Sequence, residues 1–218
     1  MLLKKITYRS IADYARIQTA YLFLGLICFI FSKERLIEMV YVFLAQGFEE
    51  VEALAPVDVL RRCGVDVRTV GVGEKTVVSS HNVPITADLT TDEISKDNLE
   101  AVILPGGMPG TLNLEKSPAV QEYIDFAAEN DLYVCAICAA PSILGHKNLL
   151  SGRKATCYPG FEKDLYGAEY TGEGAVADGK FITGKGAGAA VDFGLLIAAK
   201  LCGEEISASV RKSMQCPC

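Results

Sequence analysis

Cys138 stands where two sequence patterns meet. Leu132 to Ile137 is a short apolar run bounded by Glu129-Asn130-Asp131, as a buried parallel strand would be. Ala139, Ala140, Ile143 and Leu144 then read as a helix that closes near Gly145-His146 and Asn148. No residues are left over for a loop, so Cys138 falls on a tight strand-to-helix turn between small neighbours. That placement is like a nucleophile elbow, although the Gly-x-Ser-x-Gly spelling is absent. Unpaired N–H groups and the positive dipole end of the following helix favour thiolate, the reactive form of the side chain. The sequence therefore predicts a depressed Cys138 pKa and faster alkylation than at the other seven cysteines. The same stretch also suits a buried, inert cysteine.

From Met39 onward strands alternate with helices. Val40 to Leu44 reads as a strand. Glu49-Glu50 opens a helix whose apolar side is Val51, Leu54, Val57, Val59 and Leu60, ended by Gly64. Asp66 to Val72 is a strand, and Thr76–Val78 with Val83–Thr86 is a small hairpin. Ala101–Leu104 is a buried strand running into Pro105-Gly106-Gly107. Helix follows, with Ser117-Pro118 as cap and first position. Beyond the elbow, Lys154–Cys157 is a strand candidate. Ala175–Ala177 and Phe181–Thr183 pair across an Asp178-Gly179 turn. Helices close the chain from Ala189 to Leu201 and from Glu204 to about Lys212. This order implies an α/β fold, a doubly wound, mostly parallel sheet with helices on both faces.

In such a sheet chemistry gathers at the carboxyl ends of the strands. The first strand delivers Glu49, Glu50 and Glu52, the Ala101–Leu104 strand delivers Gly106 and Gly107, and the third delivers Cys138. A carboxyl group beside the sulfur in an apolar site would be held protonated by burial and like charge. It could then donate to the sulfur and move protons. The glycines allow backbone donors close to a developing oxyanion.

The chain has 218 residues, is 50% hydrophobic and carries a formal net charge of −6, which argues against general nucleic-acid binding. Cysteines within apolar element patterns, such as Cys63, Cys135 and Cys202, fit a reducing compartment with structural thiols. Cys135-x-x-Cys138 has redox-motif spacing but puts one sulfur on a strand and the other on a turn. Cys216-Pro217-Cys218 lacks the partners of a metal site and reads as a tail.

Residues 1–38 differ from the rest. They carry six bases against three acids, and Thr19 to Phe31 is almost wholly apolar. The run is short for a membrane span and no small-x-small cleavage site follows it. A weak membrane anchor, an uncleaved leader, or sequence upstream of a true start at Met39 are the three readings, of which the last is favoured. The expected organisation is an N-terminal extension, 1–38, and one domain, 39–218.

Ala45-Gln46-Gly47-Phe48-Glu49-Glu50-Val51-Glu52, Pro56 to Gly64, Leu104-Pro105-Gly106-Gly107, Ala136 to Pro141 and Gly184-Lys185-Gly186-Ala187-Gly188 occur in that order. Over about residues 39–212 the chain thereby resembles the DJ-1/PfpI superfamily, in its DJ-1 (ThiJ-like) branch. The resemblance implies a flavodoxin-like fold akin to that of class I glutamine amidotransferases. It implies that Cys138 is the reactive cysteine and Glu52 its protonated partner, with Gly106, Gly107 and Ala139 supplying backbone around the sulfur. Arg61 and Arg62 fall where the family has arginine near its dimer contact; exposed helix charge explains them equally well. PfpI-type proteases carry histidine after the cysteine, and Ala139 here argues against proteolysis. Members with glyoxalase- or deglycase-type activity place a histidine where this chain has Tyr158. His146, roughly 12 Å beyond Cys138 along a helix, is too far for proton transfer, and His81 belongs to the hairpin surface. Proton handling would fall to Glu52, with Tyr158 or water assisting.

The expectation is a cytoplasmic, homodimeric thiol enzyme of stress defence, acting on small reactive carbonyls such as methylglyoxal without metal or cofactor. Membrane contact would come only through residues 1–38. The alternative is a non-catalytic redox sensor or protective protein in which Cys138 oxidises beside protonated Glu52.

Overall fold

Alternation decides the first strand. Val40, Val42 and Leu44 face one hydrophobic cluster, Tyr41 and Phe43 the other, and all are buried. A strand covered on both faces reads as a continuous apolar run because neither face meets water. The computed structural model describes residues 39–216, and this strand, β1 (Met39–Leu44), is near the middle of a seven-stranded sheet. Residues 1–38, with their apolar run and the three readings offered for them, lie outside the described residues, as do the last two residues of the tail.

To one side of β1 lie β2 (Asp66–Gly71) and β5 (Leu89–Thr90). To the other lie β6 (Leu99–Leu104), β7 (Tyr133–Ile137), β11 (Phe181–Gly184) and β10 (Ala175–Asp178). All neighbours are parallel except β10 and β11, the hairpin turned at Asp178-Gly179. The expected doubly wound α/β sheet is what the chain forms. Helices α1 (Glu50–Arg62), α5 (Ala190–Cys202) and α6 (Glu204–Ser213) pack on one face. Helices α2 (Gly110–Lys116), α3 (Pro118–Glu129) and α4 (Pro141–His146) pack on the other. Chain order reverses between β1 and β6, so a crevice opens there at the carboxyl ends.

Local signals were mostly followed. Ser117 accepts from the Val120 N–H and starts α3 with Pro118 in the first turn. The small hairpin forms as β3 (Thr76–Val78) and β4 (Pro84–Thr86). Four expectations need correction. Val51 and Leu54 do not belong to the buried side of α1: they are 48% and 37% exposed, and Ala53, Pro56, Val57, Val59 and Leu60 make that side. The stripe is set by contact with α5, where Gly194 lets Pro56 and Val59 approach. Helix α2 precedes Ser117 and was not anticipated, because Gly110-Thr111 carries no side-chain cap. The Lys154–Cys157 candidate shrinks to β8 (Lys154–Ala155), paired with β9 (Glu169–Tyr170) in a separate ribbon. There the Thr156 N–H goes to Thr183 Oγ1 instead of a ladder. The elbow helix α4 is only six residues long and starts at Pro141.

Candidate active site

Glu52 is set by a closed ring of hydrogen bonds. The Glu49 N–H donates to the Gly106 carbonyl (3.0 Å), the Gly106 N–H donates to Glu52 Oε2 (2.9 Å), and the Glu52 N–H donates to Glu49 Oε2 (2.6 Å). Glu49 is thus the N-cap of α1, and Glu52, one turn in, aims its carboxyl across the crevice. It is 1% exposed. The Ala187 N–H, from the loop after β11, also donates to it. Three elements therefore converge on one carboxyl group.

Cys138 follows β7 directly and is held with φ +67, a left-handed conformation uncommon for a side chain with a Cβ. Its N–H donates to the Gly184 carbonyl (2.9 Å) and its own carbonyl accepts from the Tyr158 N–H (2.7 Å). These bonds fix the turn from both sides and lift the sulfur into the crevice, as an elbow does. A hydrogen bond links its side chain to Glu52, and the Gly107 and Ala139 N–H groups point at the sulfur. Gly106 is required by space: a Cβ there would lie 2.6 Å from Cys138 Cβ and 2.8 Å from Glu52 Oε2. Its N–H is committed to Glu52, so the donors around the sulfur are Gly107 and Ala139. Gly106 acts on the carboxyl group instead.

The electrostatics correct one expectation. Burial first, then the charge of Glu49, raises Glu52 to about 7, against the hydrogen bonds from Cys138, Gly106 and Ala187. Burial, then the Glu52 charge and its hydrogen bond, pushes the Cys138 thiol up to about 12, against the Gly107 and Ala139 donors. A thiol depressed on its own account is not what this site builds. The helix dipole invoked for it is weak, since α4 is short and begins three residues later. The two acids form a coupled pair, and one negative charge is all it holds near neutrality. The upward push on the thiol comes partly from an ionised Glu52. When Glu52 keeps the proton, that repulsion disappears and the carboxyl group donates to the sulfur.

The remaining candidates fall around this centre. The Tyr158 ring is half-exposed and borders Gly186, and the two line a hollow of about 470 Å³ beside Glu52. That ring stands at the rim, while the Tyr158 backbone N–H is what fixes the elbow. His81 is exposed on the hairpin and pairs with Glu50 at 2.9 Å. His146, the last residue of α4, pairs with Glu115 at 2.5 Å. Arg61 pairs with Asp88 and Arg62 with Asp58 within the chain. Cys135 lies fully buried in β7, and both it and Cys138 are free thiols. Among the described residues Glu49, Glu50 and His81 bring metal-type ligand atoms within 4.8 Å of one another. The cap and the ion pair already satisfy that cluster. No helix among the described residues is long and apolar enough to cross a membrane. Sequence reasoning missed the cap by Glu49 and the Ala187 donor. The Gly184–Gly188 glycines were the available sign of a close backbone approach.

A doubly wound sheet with a cysteine elbow facing a buried carboxyl group defines the class, and comparison with known proteins agrees. The family described as DJ-1/PfpI matches residues 38–200, and the chain belongs to it. The DJ-1beta protein of Drosophila melanogaster is 34% identical over 79% of this chain and 94% of its own length. A protein of Pyrococcus horikoshii named as a deglycase is 31% identical over 65% of this chain and 86% of its own. Among solved structures, a DJ-1 superfamily protein of Salmonella typhimurium superposes with a TM-score of 0.79 at 36% identity. That match covers 83% of this chain and all of the other.

Proposed function

We propose that this protein is a cysteine-dependent enzyme of stress defence acting on small reactive carbonyls, of the glyoxalase or deglycase kind. The observation that carries the reading is the protonatable Glu52, raised to about 7, hydrogen-bonded to Cys138 on a strained elbow. A relative named as a deglycase supports the substrate class. With an α-oxoaldehyde, Cys138 Sγ forms a bond to the aldehyde carbon and the Glu52 proton goes to the aldehyde oxygen, giving a hemithioacetal. The Glu52 carboxylate then takes the proton from that carbon and returns it to the neighbouring carbonyl carbon, while the hemithioacetal hydroxyl proton passes to the neighbouring carbonyl oxygen. The resulting hydroxyacyl thioester is cleaved by water, which restores the thiol and releases the hydroxy acid. Gly107 and Ala139 N–H groups, close to the sulfur, suit the oxyanion of that last step. No step calls on a metal or cofactor, and Tyr158 assists from the rim. The full chain should convert methylglyoxal to lactate and Cys138→Ser should abolish it; equal activity in that variant would remove Cys138 from the chemistry.

Tyr158 in place of a histidine favours a second reading, a redox sensor. There peroxide oxidises Cys138 to a sulfinate whose oxygen accepts a hydrogen bond from protonated Glu52. A mass gain of two oxygens at Cys138 under mild peroxide, in a protein inert to methylglyoxal, would select it. The chain is also proposed to act in the cytoplasm as a homodimer, one domain from Met39 onward. Exposed Val51 and Leu54 on α1 and Val83 near β4 support the dimer.

A further inference from the structure

The hollow beside Glu52 has one charged residue in its lining, Lys185. The rest is the Tyr158 ring, Pro159 and the backbone of the Gly186–Ala189 loop. That loop reaches the reacting pair at two points: Ala187 N–H bonds Glu52, and a Cβ on Gly186 would sit 3.9 Å from Glu52 Oε1. Lys185 is half-buried, and its ammonium donates to the Gly172 carbonyl at 3.1 Å. An ammonium has three donors, and among the described residues no carboxylate pairs with this one, although eleven ion pairs form elsewhere among them. A half-buried cation without an anion, at the edge of an otherwise apolar hollow, attracts a negative group more strongly than an exposed lysine does.

We propose that Lys185 makes this hollow an anion subsite, so that the site prefers carbonyl compounds carrying a carboxylate over neutral ones. The inference rests on the reading of Cys138 as the reacting group and adds the substrate class. In this arrangement the aldehyde carbon meets the sulfur beside Glu52, and the carboxylate extends along the Gly186–Ala189 loop toward the ammonium. Seating the anion on Lys185 keeps its charge balanced and so leaves Glu52 free to hold its proton.

Alkylation tests this without turnover. Cys138 of the full chain is treated with iodoacetate, an anion, and with iodoacetamide, its neutral counterpart, and the two rates are read by mass spectrometry of the Cys138 peptide. The ratio of iodoacetate to iodoacetamide rates should fall roughly three- to tenfold in Lys185→Met, the effect of one charge at partly screened distance. Lys185→Arg should keep the ratio, and added salt should lower it in the native chain. An unchanged ratio in Lys185→Met overturns the proposal. Turnover separates the two claims. If methylglyoxal and an α-oxoaldehyde bearing a terminal carboxylate are both inert while the ratio still falls, the catalytic reading fails and the subsite stands. If methylglyoxal is consumed and the ratio does not move, the subsite alone fails.

Discussion

Replacing Glu52 with glutamine should change how stability depends on pH, by an amount the site itself sets. Glu52 is raised from 4.5 to about 7. Between those values the folded protein keeps a proton that the unfolded chain has lost. Stability from this group is therefore complete at acid pH and declines as pH rises through about 7. At about 1.4 kcal/mol per unit, the loss over that window is roughly 3 kcal/mol. Glutamine has no proton to lose, and its amide oxygen can still accept from Gly106 and Ala187. Glu52→Gln should thus be less pH-sensitive by about that amount, and more stable than the native chain at pH 8. Denaturant unfolding at several pH values, with slopes checked for constancy, gives the two curves. Whether oxygen or sulfur holds the shared charge makes no difference, because the pair as a whole loses its first proton in this window. Parallel curves for the two proteins would refute it.

Other consequences can be read at the same bench. Cys138 is held at φ +67, so Cys138→Gly should be about 1 kcal/mol more stable than Cys138→Ala; equal stabilities would mean that the elbow stores no strain. Gly106→Ala must displace Cys138 or Glu52 and should cost about 1–3 kcal/mol together with the reactivity of the thiol; a variant of native stability and reactivity would contradict the packing described. Sedimentation should show a dimer at micromolar concentration, with Val51→Glu shifting it toward monomer, and a native chain that sediments as a monomer would end that proposal.

Much of the frame was legible because period-2 burial and strand–helix alternation are written directly into residue types. Val40 to Leu44 and Leu132 to Ile137 could hardly be anything but buried parallel strands, and the elbow follows from the lack of any residues between strand and helix. The pairing of Cys138 with Glu52 came from the family resemblance rather than from spacing, since the 85 residues between them carry no local sign of the contact. The electrostatics were legible in kind but not in sign. A sequence shows that a helix follows Cys138, but not that it begins only at Pro141 or that burial and Glu52 both weigh on the thiol. The exposure of Val51 and Leu54 was hidden for a similar reason: which stripe of α1 is buried depends on where Gly194 of α5 touches it. Gly106 was expected to serve the sulfur, but folding commits its N–H to the carboxyl group.

Cys138 and Glu52 are proposed to share one proton near neutral pH, so that a thiolate can exist beside a carboxylic acid. Ultraviolet thiolate absorbance followed against pH, with Cys138→Ser as the blank, tests it most directly. Thiolate at Cys138 should appear as the pair loses its first proton, below the pH at which the thiol alone would ionise, and only at higher pH in Glu52→Ala, where the donor to the sulfur is gone. A native protein that shows no Cys138 thiolate until strongly alkaline pH, unaffected by Glu52→Ala, would contradict it and leave the elbow a buried structural turn.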